Sequence, residues 1–210
     1  MVYMVGCDTT PYSGCKYSKR VVEALMNAAG VRNFIETGTF LGHTTRDVAQ
    51  TFPNVAVQTV ELVYSTFKKN EESFKNFSNI KAVHGPSCDF LKGLVLEDGP
   101  TLYYLDAHWG ESHPLREELA IIRDRSVGNE IIVIDDFQVP NRPFGHDWTH
   151  TGQAYNMAWI DGILGPEWIY FYKDQQDNNE RATGQLFIFH KNLNLENFIK
   201  YDNGIPYSSL

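Results

Sequence analysis

Five short apolar runs that alternate with helix-like stretches constrain the fold of this 210-residue chain more than any other feature. The runs cover residues 33–36, 55–61, 80–84, 101–106 and 130–135. Strands rich in valine and isoleucine that alternate with helices are typical of a parallel sheet covered by helices on both faces. Four of the five runs end in an acidic residue, so we expect negative charge to collect at one edge of this sheet.

The pattern changes after residue 137. A predicted helix over residues 153–164 precedes two strand-like runs, residues 168–173 and 185–191, which a short polar stretch connects. A parallel crossover needs a dozen or more residues and usually a helix, so this connection favours an antiparallel hairpin. The sequence therefore predicts an α/β fold, with a doubly wound, mostly parallel, seven-stranded sheet and a C-terminal antiparallel hairpin.

The charge balance excludes some classes of partner. Acidic residues outnumber basic ones by 26 to 18, which disfavours binding to nucleic acid or to an anionic membrane because both require a basic face. The sequence has no apolar stretch of the ~18 residues that a membrane span needs, and it shows no N-terminal signal peptide. Cys7, Cys15 and Cys88 form no C-x-x-C pair, which favours reduced thiols in a cytoplasmic protein. A Cys7–Cys15 disulfide and a homodimer both stay open.

A glycine-containing turn follows the first run, at the edge where open α/β sheets bind their ligands. In this turn, ETGTFLG over residues 36–42, Gly38 and Gly42 permit a tight bend and a close backbone approach to a ligand. The G-x-x-x-G spacing differs from the G-x-G-x-x-G of dinucleotide-binding proteins. Glu61, at the end of the second run, is placed to accept hydrogen bonds from ribose hydroxyls. The small residues around Ser87 leave room for an adenine ring.

Three aspartates, Asp106, Asp135 and Asp136, end the fourth and fifth runs. Carboxylates that lie close together raise one another's pKa unless a cation neutralises them, and a set of carboxylate oxygens suits Mg²⁺. The pattern therefore predicts a divalent-metal site formed by all three. The alternative is that these aspartates cap a helix or bind backbone amides without a metal.

Four segments of the chain resemble class I S-adenosylmethionine (SAM)-dependent methyltransferases. These segments are FIETGTFLGHTT, VEL after the second run, YLDAHW and VIDDF. More narrowly, they resemble the metal-assisted sugar O-methyltransferases that act on macrolide sugars and related glycans. The resemblance spans roughly residues 33–137 and implies a Rossmann-like fold, SAM as the methyl donor, and Mg²⁺ or another divalent cation held by the three aspartates.

The resemblance also implies which residues bind the donor. Glu36 and the two glycines match the positions that hold the methionine part of SAM, and Glu61 matches the position that binds its ribose. Thr39 and Phe40 stand where the family often has smaller or charged residues. The complete set expected to contact SAM is Glu36, Gly38, Thr39, Gly42, Glu61 and Ser87.

The implied reaction is methyl transfer from SAM to a hydroxyl of a sugar, for example a deoxyhexose such as rhamnose, either free or within a glycan. A bound cation would orient the acceptor and lower the pKa of its hydroxyl, and a nearby base would remove the proton. His108, two residues after Asp106, is the predicted base because imidazole titrates near neutral pH. Asp106 is predicted to share this role, with His113 in reserve.

A long polar and aromatic loop over residues 138–152 is predicted to act as a lid over the acceptor. Its polar and aromatic side chains are Arg142, His146, Asp147, Trp148 and His150, and Trp109 would supply a second aromatic face. We thus expect a single domain over residues 1–210. It comprises a lead and helix (1–32), a donor-binding half (33–137), the lid (138–152), and a helix with the terminal hairpin (153–210).

Three other functions remain as alternatives. A methyltransferase that acts on a phenol or catechol would use the same metal but a flatter, more apolar pocket. A nicotinamide-dependent oxidoreductase would also place an acid near the ribose, but the G-x-x-x-G spacing and the terminal hairpin argue against it. A non-catalytic module that binds a nucleotide-type ligand would keep the fold and lose the chemistry.

Overall fold

The computed structural model describes residues 10–108, 111, 113–172, 183–195 and 205–206. The strands in this part of the chain are β1 (Asn33–Thr37), β2 (Ala56–Glu61), β3 (Ile80–His84), β4 (Thr101–Leu105), β5 (Glu130–Ile134), β6 (Trp168–Tyr172), β7 (Leu186–His190) and β8 (Ile205–Pro206). The α-helices are α1 (Lys16–Ala29), α2 (His43–Thr51), α3 (Tyr64–Ser73), α4 (Ser87–Lys92), α5 (Leu115–Arg125) and α6 (Met157–Ile160).

The strands form one sheet in the order β3-β2-β1-β4-β5-β7-β6-β8. The first five strands are parallel, and β7 lies antiparallel between β5 and β6. This arrangement confirms the predicted doubly wound sheet with its antiparallel hairpin, and β8 extends the edge beyond the seven predicted strands. The chain leaves β1 on one side towards β2 and β3 and returns on its other side as β4. The carboxyl ends of β1 and β4 therefore flank the crevice where such sheets bind ligands.

The central strands are buried on both faces, as a sheet covered by two layers of helices requires. Along β1, Phe34 packs with the apolar side chains of α1 and α2, whereas Ile35 packs on the opposite face with those of α4 and α5. The same alternation continues along β4 and β5. Each strand is thus fixed in register, because a slip of one residue would exchange the two sets of packed side chains.

The predicted helix over residues 153–164 is wrong in extent, because α6 covers only Met157–Ile160. The residues ahead of it are used by the preceding loop. Ala154 forms an isolated bridge with Trp148, and Tyr155 donates its backbone N–H to the carbonyl of Asp147 at 2.9 Å. The side chain of Asn156 then accepts a hydrogen bond from the backbone of Trp159, so the helix begins only after this cap.

Two of the cysteines, Cys15 and Cys88, are buried thiols that are not part of a disulfide within the described residues. Cys7 lies outside the described residues. Within the described ranges, none of the helices combines the length and the apolar character that a membrane-spanning segment requires.

Candidate functional site

A cavity of about 870 Å³ opens at the carboxyl edge of the sheet. Its walls come from the segments that follow β1, β2, β3, β4 and β5, and so include parts of every predicted donor-binding turn. The predicted site residues that line it are Glu36, Gly38, Thr39, Gly42, Glu61, Ser87, Asp106, His108 and Asp136. The volume falls within the range of small-molecule sites in proteins.

The glycine turn lines the cavity and also packs closely against neighbouring segments of the chain. Gly38 and Gly42 have φ values of +82° and +67°, which L residues rarely adopt. A Cβ atom on Gly38 would lie 2.6 Å from the carbonyl oxygen of Asp106, and one on Gly42 would lie 2.6 Å from the ring of Phe74. The turn therefore lies directly against the segment that follows β4.

Glu36 is buried at the base of the turn, where its Oε2 accepts hydrogen bonds from the hydroxyls of Thr45 and Thr59. Burial dominates over these hydrogen bonds and raises the pKa of Glu36 to about 7. The hydroxyl of Thr39 lies 2.6 Å from that of Thr59. The backbone N–H of Thr39 donates to the carbonyl of Val60. Both predicted donor-binding residues are thus fixed by a local hydroxyl network.

Glu61 is held by two backbone groups on opposite sides of its carboxylate. Its Oε2 accepts from the N–H of Phe40 and its Oε1 from the N–H of Val63, each at 2.8 Å. A carboxylate has about four acceptor positions, so these two bonds fix its orientation without exhausting its capacity. Ser87, at the start of α4, also lines the cavity.

Asp106, His108 and Asp136 form a cluster in the lining of the cavity, next to the glycine turn. One ligand atom from each residue lies within 4.8 Å of the others. Bonds of about 2.1 Å to Mg²⁺ place neighbouring octahedral ligands about 3 Å apart and opposite ones about 4.2 Å apart, so small side-chain movements would suffice to hold a divalent cation. Two carboxylates and an imidazole are suitable donors for such an ion.

Asp135 is not part of this cluster, although the sequence predicts it as the third metal ligand. Its Oδ2 accepts a hydrogen bond from the hydroxyl of Tyr104 at 2.6 Å, and its Oδ1 accepts from the side-chain amide of Gln185 and the backbone N–H of Asp136, both at 3.0 Å. Only 3% of Asp135 is exposed. The structure thus brings together Asp106 and Asp136 with His108, and surrounds Asp135 with hydrogen-bond donors of the interior.

The backbone of Asp136 departs from the extended conformation of β5. Its φ is +49°, a left-handed conformation that is unusual for a residue other than glycine, and aspartate is among the side chains that tolerate it. Such local strain is frequent at functional sites. Burial and the adjacent charge of Asp135 raise the pKa of Asp106 well above its usual range, as expected for carboxylates gathered at one edge.

The imidazole of His108 is surrounded by three carboxylates. Its Nε2 lies 2.6 Å from Oδ2 of Asp147, whereas its Nδ1 lies 3.7 Å from Asp106 and its Nε2 lies 3.9 Å from Asp136. Burial by itself lowers the pKa of His108, but the hydrogen bond to Asp147 and the negative charges of Asp106 and Asp136 outweigh it and raise the pKa to about 9. The ring is therefore held within an acidic environment.

Solved structures with the same topology were found by comparison of the fold. An O-methyltransferase from Bacillus cereus in complex with SAH has a TM-score of 0.64 and 16% identity, covering 90% of this chain and 84% of that one. The O-methyltransferase TomG from Streptomyces achromogenes, in complex with SAM, has a TM-score of 0.60 and 15% identity, with 83% and 79% covered. The chain has the Rossmann-like methyltransferase fold.

A third solved structure with this methyltransferase fold is the SAH-bound methyltransferase PaMTH1 from Podospora anserina. Its TM-score is 0.57 and its identity 17%, and the match covers 84% of this chain and 78% of that one. No protein-family model matches the sequence, and no curated protein matches it either. At these levels of identity, the likeness establishes the fold.

The loop after β5, which the sequence predicts as a lid, contacts the cluster of Asp106, His108 and Asp136 through His108. Its Asp147 binds His108, while the backbone N–H of His150 donates to Nε2 of His113 at 3.1 Å. The Nδ1 of His113 lies 2.8 Å from the hydroxyl of Tyr155. His113 is therefore occupied in linking the loop to the start of α5, whereas its predicted role was that of a reserve base.

The two aromatic neighbours of Asp147 in the loop, His146 and Trp148, are not among the residues that line the cavity. Trp148 is 55% exposed and packs against His146 with ring centroids 4.9 Å apart, and neither residue lines the cavity. Trp109 lies outside the described residues. Sequence reasoning placed Asp147 in the loop but missed its contact with His108, since no local pattern indicates a pairing across 39 residues.

Proposed function

We propose that the protein is a SAM-dependent O-methyltransferase that transfers a methyl group to a sugar hydroxyl with the assistance of a divalent cation. The observation that carries this proposal is the cavity of about 870 Å³, whose lining combines a glycine turn and Glu61 with the cluster of Asp106, His108 and Asp136. Compared structures of the same fold hold SAM or SAH, which supports the assignment of the donor.

The part of the cavity lined by the glycine turn and Glu61 suits the donor. Glu61 would accept hydrogen bonds from the ribose hydroxyls, because two backbone N–H groups already orient its carboxylate. Glu36 and the backbone of Gly38 and Thr39 would contact the methionine part, and Ser87 would lie along the adenine. SAM supplies a methyl group on a sulfonium, which is already electrophilic, so the residues need to orient it rather than activate it.

The cluster suits activation of the acceptor. Asp106 and Asp136 would hold the cation, with His108 beside them, and Asp135 would fix the end of β5 through its buried hydrogen bonds. A divalent cation at this position supplies a Lewis acid that lowers the pKa of an acceptor hydroxyl. His108 would contribute its imidazole as a third donor to the cation, a role that excludes the one predicted from the sequence, in which the neutral ring accepts the hydroxyl proton.

The polar side chains of the cluster and around it favour a sugar as acceptor. The side chains there include Asp106, His108 and Asp136, with His113 also in the lining of the cavity, and they offer hydrogen-bonding groups to several hydroxyls. A deoxyhexose such as rhamnose, free or within a glycan, has neighbouring hydroxyls that fit two-point recognition by such groups.

A phenol or catechol is a second candidate acceptor. The lining of the cavity includes four partly exposed apolar side chains that would pack against a flat aromatic ring: Phe40, Leu41, Leu62 and Val63. A putative caffeoyl-CoA O-methyltransferase from Staphylococcus aureus shares the fold, with a TM-score of 0.56 and 11% identity over 83% of each chain.

Binding and turnover measurements test the proposal. We expect SAM and SAH, but not NAD, to raise the melting temperature of the purified protein, because a ligand that binds the native state stabilises it. Mass spectrometry of a panel of glycosides and catechols after incubation with SAM and Mg²⁺ should show one class gaining a methyl group. Failure of SAM and SAH to bind would contradict the proposal, and full activity in a chelator would contradict its metal component.

A further inference from the structure

The carboxylate of Asp147 contacts a residue that is distant from it in the chain. Its Oδ2 lies 2.6 Å from Nε2 of His108, although 39 residues separate the two in the chain. The other two carboxylates around this ring are beyond hydrogen-bond distance of its nitrogens, with Asp106 at 3.7 Å from Nδ1 and Asp136 at 3.9 Å from Nε2. Asp147 is therefore the carboxylate that engages the Nε2 proton.

The backbone of Asp147 is fixed from both sides. Its N–H donates to the carbonyl of Asp136 at 2.8 Å, and its own carbonyl accepts from the N–H of Tyr155 at 2.9 Å. These bonds tie the loop to the end of β5 at the residue that belongs to the cluster. The Asp147 side chain consequently starts from a fixed position next to Asp136 rather than from the free tip of a loop.

A second contact restricts the His108 ring. Tyr155 meets it edge to face, with ring centroids 6.2 Å apart and an interplanar angle of 83°. The hydroxyl of Tyr155 is itself engaged by Nδ1 of His113 at 2.8 Å. With Nε2 bound to Asp147 and one side of the ring against Tyr155, the Nδ1 edge is the one that faces Asp106.

We propose that Asp147 is a positioning residue that holds the His108 ring so that Nδ1 faces Asp106, one of the carboxylates of the cluster. A hydrogen bond from one imidazole nitrogen to a carboxylate fixes which nitrogen remains for a cation or a substrate. This inference rests on the proposed function, because it assigns Nδ1 to the cluster that would hold the cation. It gives a role to the aspartate of the predicted lid whose backbone is fixed on both sides.

Proton NMR of the protein without metal tests the contact directly. A hydrogen-bonded imidazole proton gives a downfield resonance, which we assign to His108 by its absence in His108→Gln. We expect Asp147→Ala to remove this resonance and Asp147→Asn to retain it at a shifted position, since the amide oxygen still accepts a hydrogen bond. Asp161→Asn, which removes the same charge at an exposed position, should leave it unchanged.

Calorimetric titration with Mn²⁺ alone tests the consequence. Loss of a carboxylate that orients a metal-binding histidine typically costs 10- to 100-fold in metal affinity, so we expect Asp147→Ala to bind Mn²⁺ at least tenfold more weakly. Asp147→Asn should recover most of this loss, and the SAH affinity of both variants should equal that of the wild type.

Three results would overturn the inference: a His108 resonance that survives in Asp147→Ala, an unchanged Mn²⁺ affinity, or an equal loss of Mn²⁺ and SAH binding, which would indicate only a structural role. A wild type that binds SAH but no Mn²⁺ would instead contradict the metal component of the proposed function. In that case the NMR experiment still decides whether Asp147 positions His108.

Discussion

Asp135 and Asp136 are adjacent in the chain, yet their carboxylates lie in different environments. That of Asp135 accepts hydrogen bonds from Tyr104 and Gln185 in the interior, whereas that of Asp136 joins Asp106 and His108 at the cavity. The backbone of Asp136 is left-handed, with a φ of +49°. The two residues should therefore respond differently to the same substitution.

Asp136→Asn should reduce the affinity for Mn²⁺ and lower methyl-transfer turnover at least 100-fold, because it removes one of two charged ligands from the proposed cation site. The melting temperature should change little, since removal of a charge from a crowded acidic cluster relieves repulsion. Calorimetric titration, turnover and thermal unfolding would be compared on the same preparation.

Asp135→Asn provides the contrasting case. The amide would direct an N–H group towards the donors that now surround the carboxylate, so we expect the free energy of unfolding to fall by about 3 kcal/mol. Chemical denaturation measures this loss. Equal stability of the two variants would contradict the separation of a structural from a cation-binding aspartate.

The close approach of Gly38 to the segment after β4 predicts a sensitive position. In Gly38→Ala, the new Cβ would lie 2.6 Å from the carbonyl oxygen of Asp106, and the φ of +82° would add strain. We expect a loss of about 3 kcal/mol in the free energy of unfolding, together with weaker Mn²⁺ binding because Asp106 must move.

Gly30→Ala is the matched control for this substitution. Gly30 has a φ of +64°, and the space that a Cβ would take there has no neighbouring atom within 4 Å, so only backbone strain should appear, at about 1 kcal/mol. If both variants lose the same stability, crowding against Asp106 is not what requires glycine at position 38.

Glu61→Gln should weaken SAH binding by about tenfold, because a hydrogen bond to a charged carboxylate contributes about 1.5–3 kcal/mol and one to a neutral amide only about 0.5–1.5 kcal/mol. Glu72→Gln, on the exposed face of α3, should bind SAH like the wild type. Isothermal titration calorimetry measures both. Unchanged affinity in Glu61→Gln would place the ribose elsewhere in the cavity.

The buried carboxyl of Glu118 predicts a pH dependence of stability. Burial raises its pKa from 4.5 to about 7. The folded state therefore binds a proton on Glu118 more tightly than the unfolded state does. The resulting contribution to the free energy of unfolding is fully present below about pH 4.5 and is lost as the pH rises to about 7. The shift corresponds to a loss of about 3 kcal/mol over that interval.

Glu118→Gln removes this titration, so its free energy of unfolding should fall less than that of the wild type between pH 4.5 and 7. Glu117→Gln, at an exposed neighbouring position paired with Lys92, serves as the control. Urea unfolding at a series of pH values gives the two slopes. Parallel curves for wild type and Glu118→Gln would show that Glu118 titrates normally.

Sequence patterns alone determined the architecture and the edge of the sheet that carries the candidate site. Apolar runs such as residues 130–135 bury both faces of a strand, and this hydrophobic alternation is a local property that the residues themselves specify. The order of strands then follows from the right-handed crossovers of such folds, which places Glu36, Glu61 and Asp106 at one edge without any further information.

Tertiary structure decided which of the acidic residues at that edge face one another. The direction of the Asp135 carboxylate depends on Tyr104 and Gln185, and the orientation of His108 depends on Asp147, which approaches from a loop far along the chain. The short extent of α6 has the same origin, because the bridge between Trp148 and Ala154 competes for the residues that would otherwise extend the helix. Contacts between distant segments leave no periodic pattern in the sequence, since they are selected by packing and hydrogen bonding only once the sheet has formed.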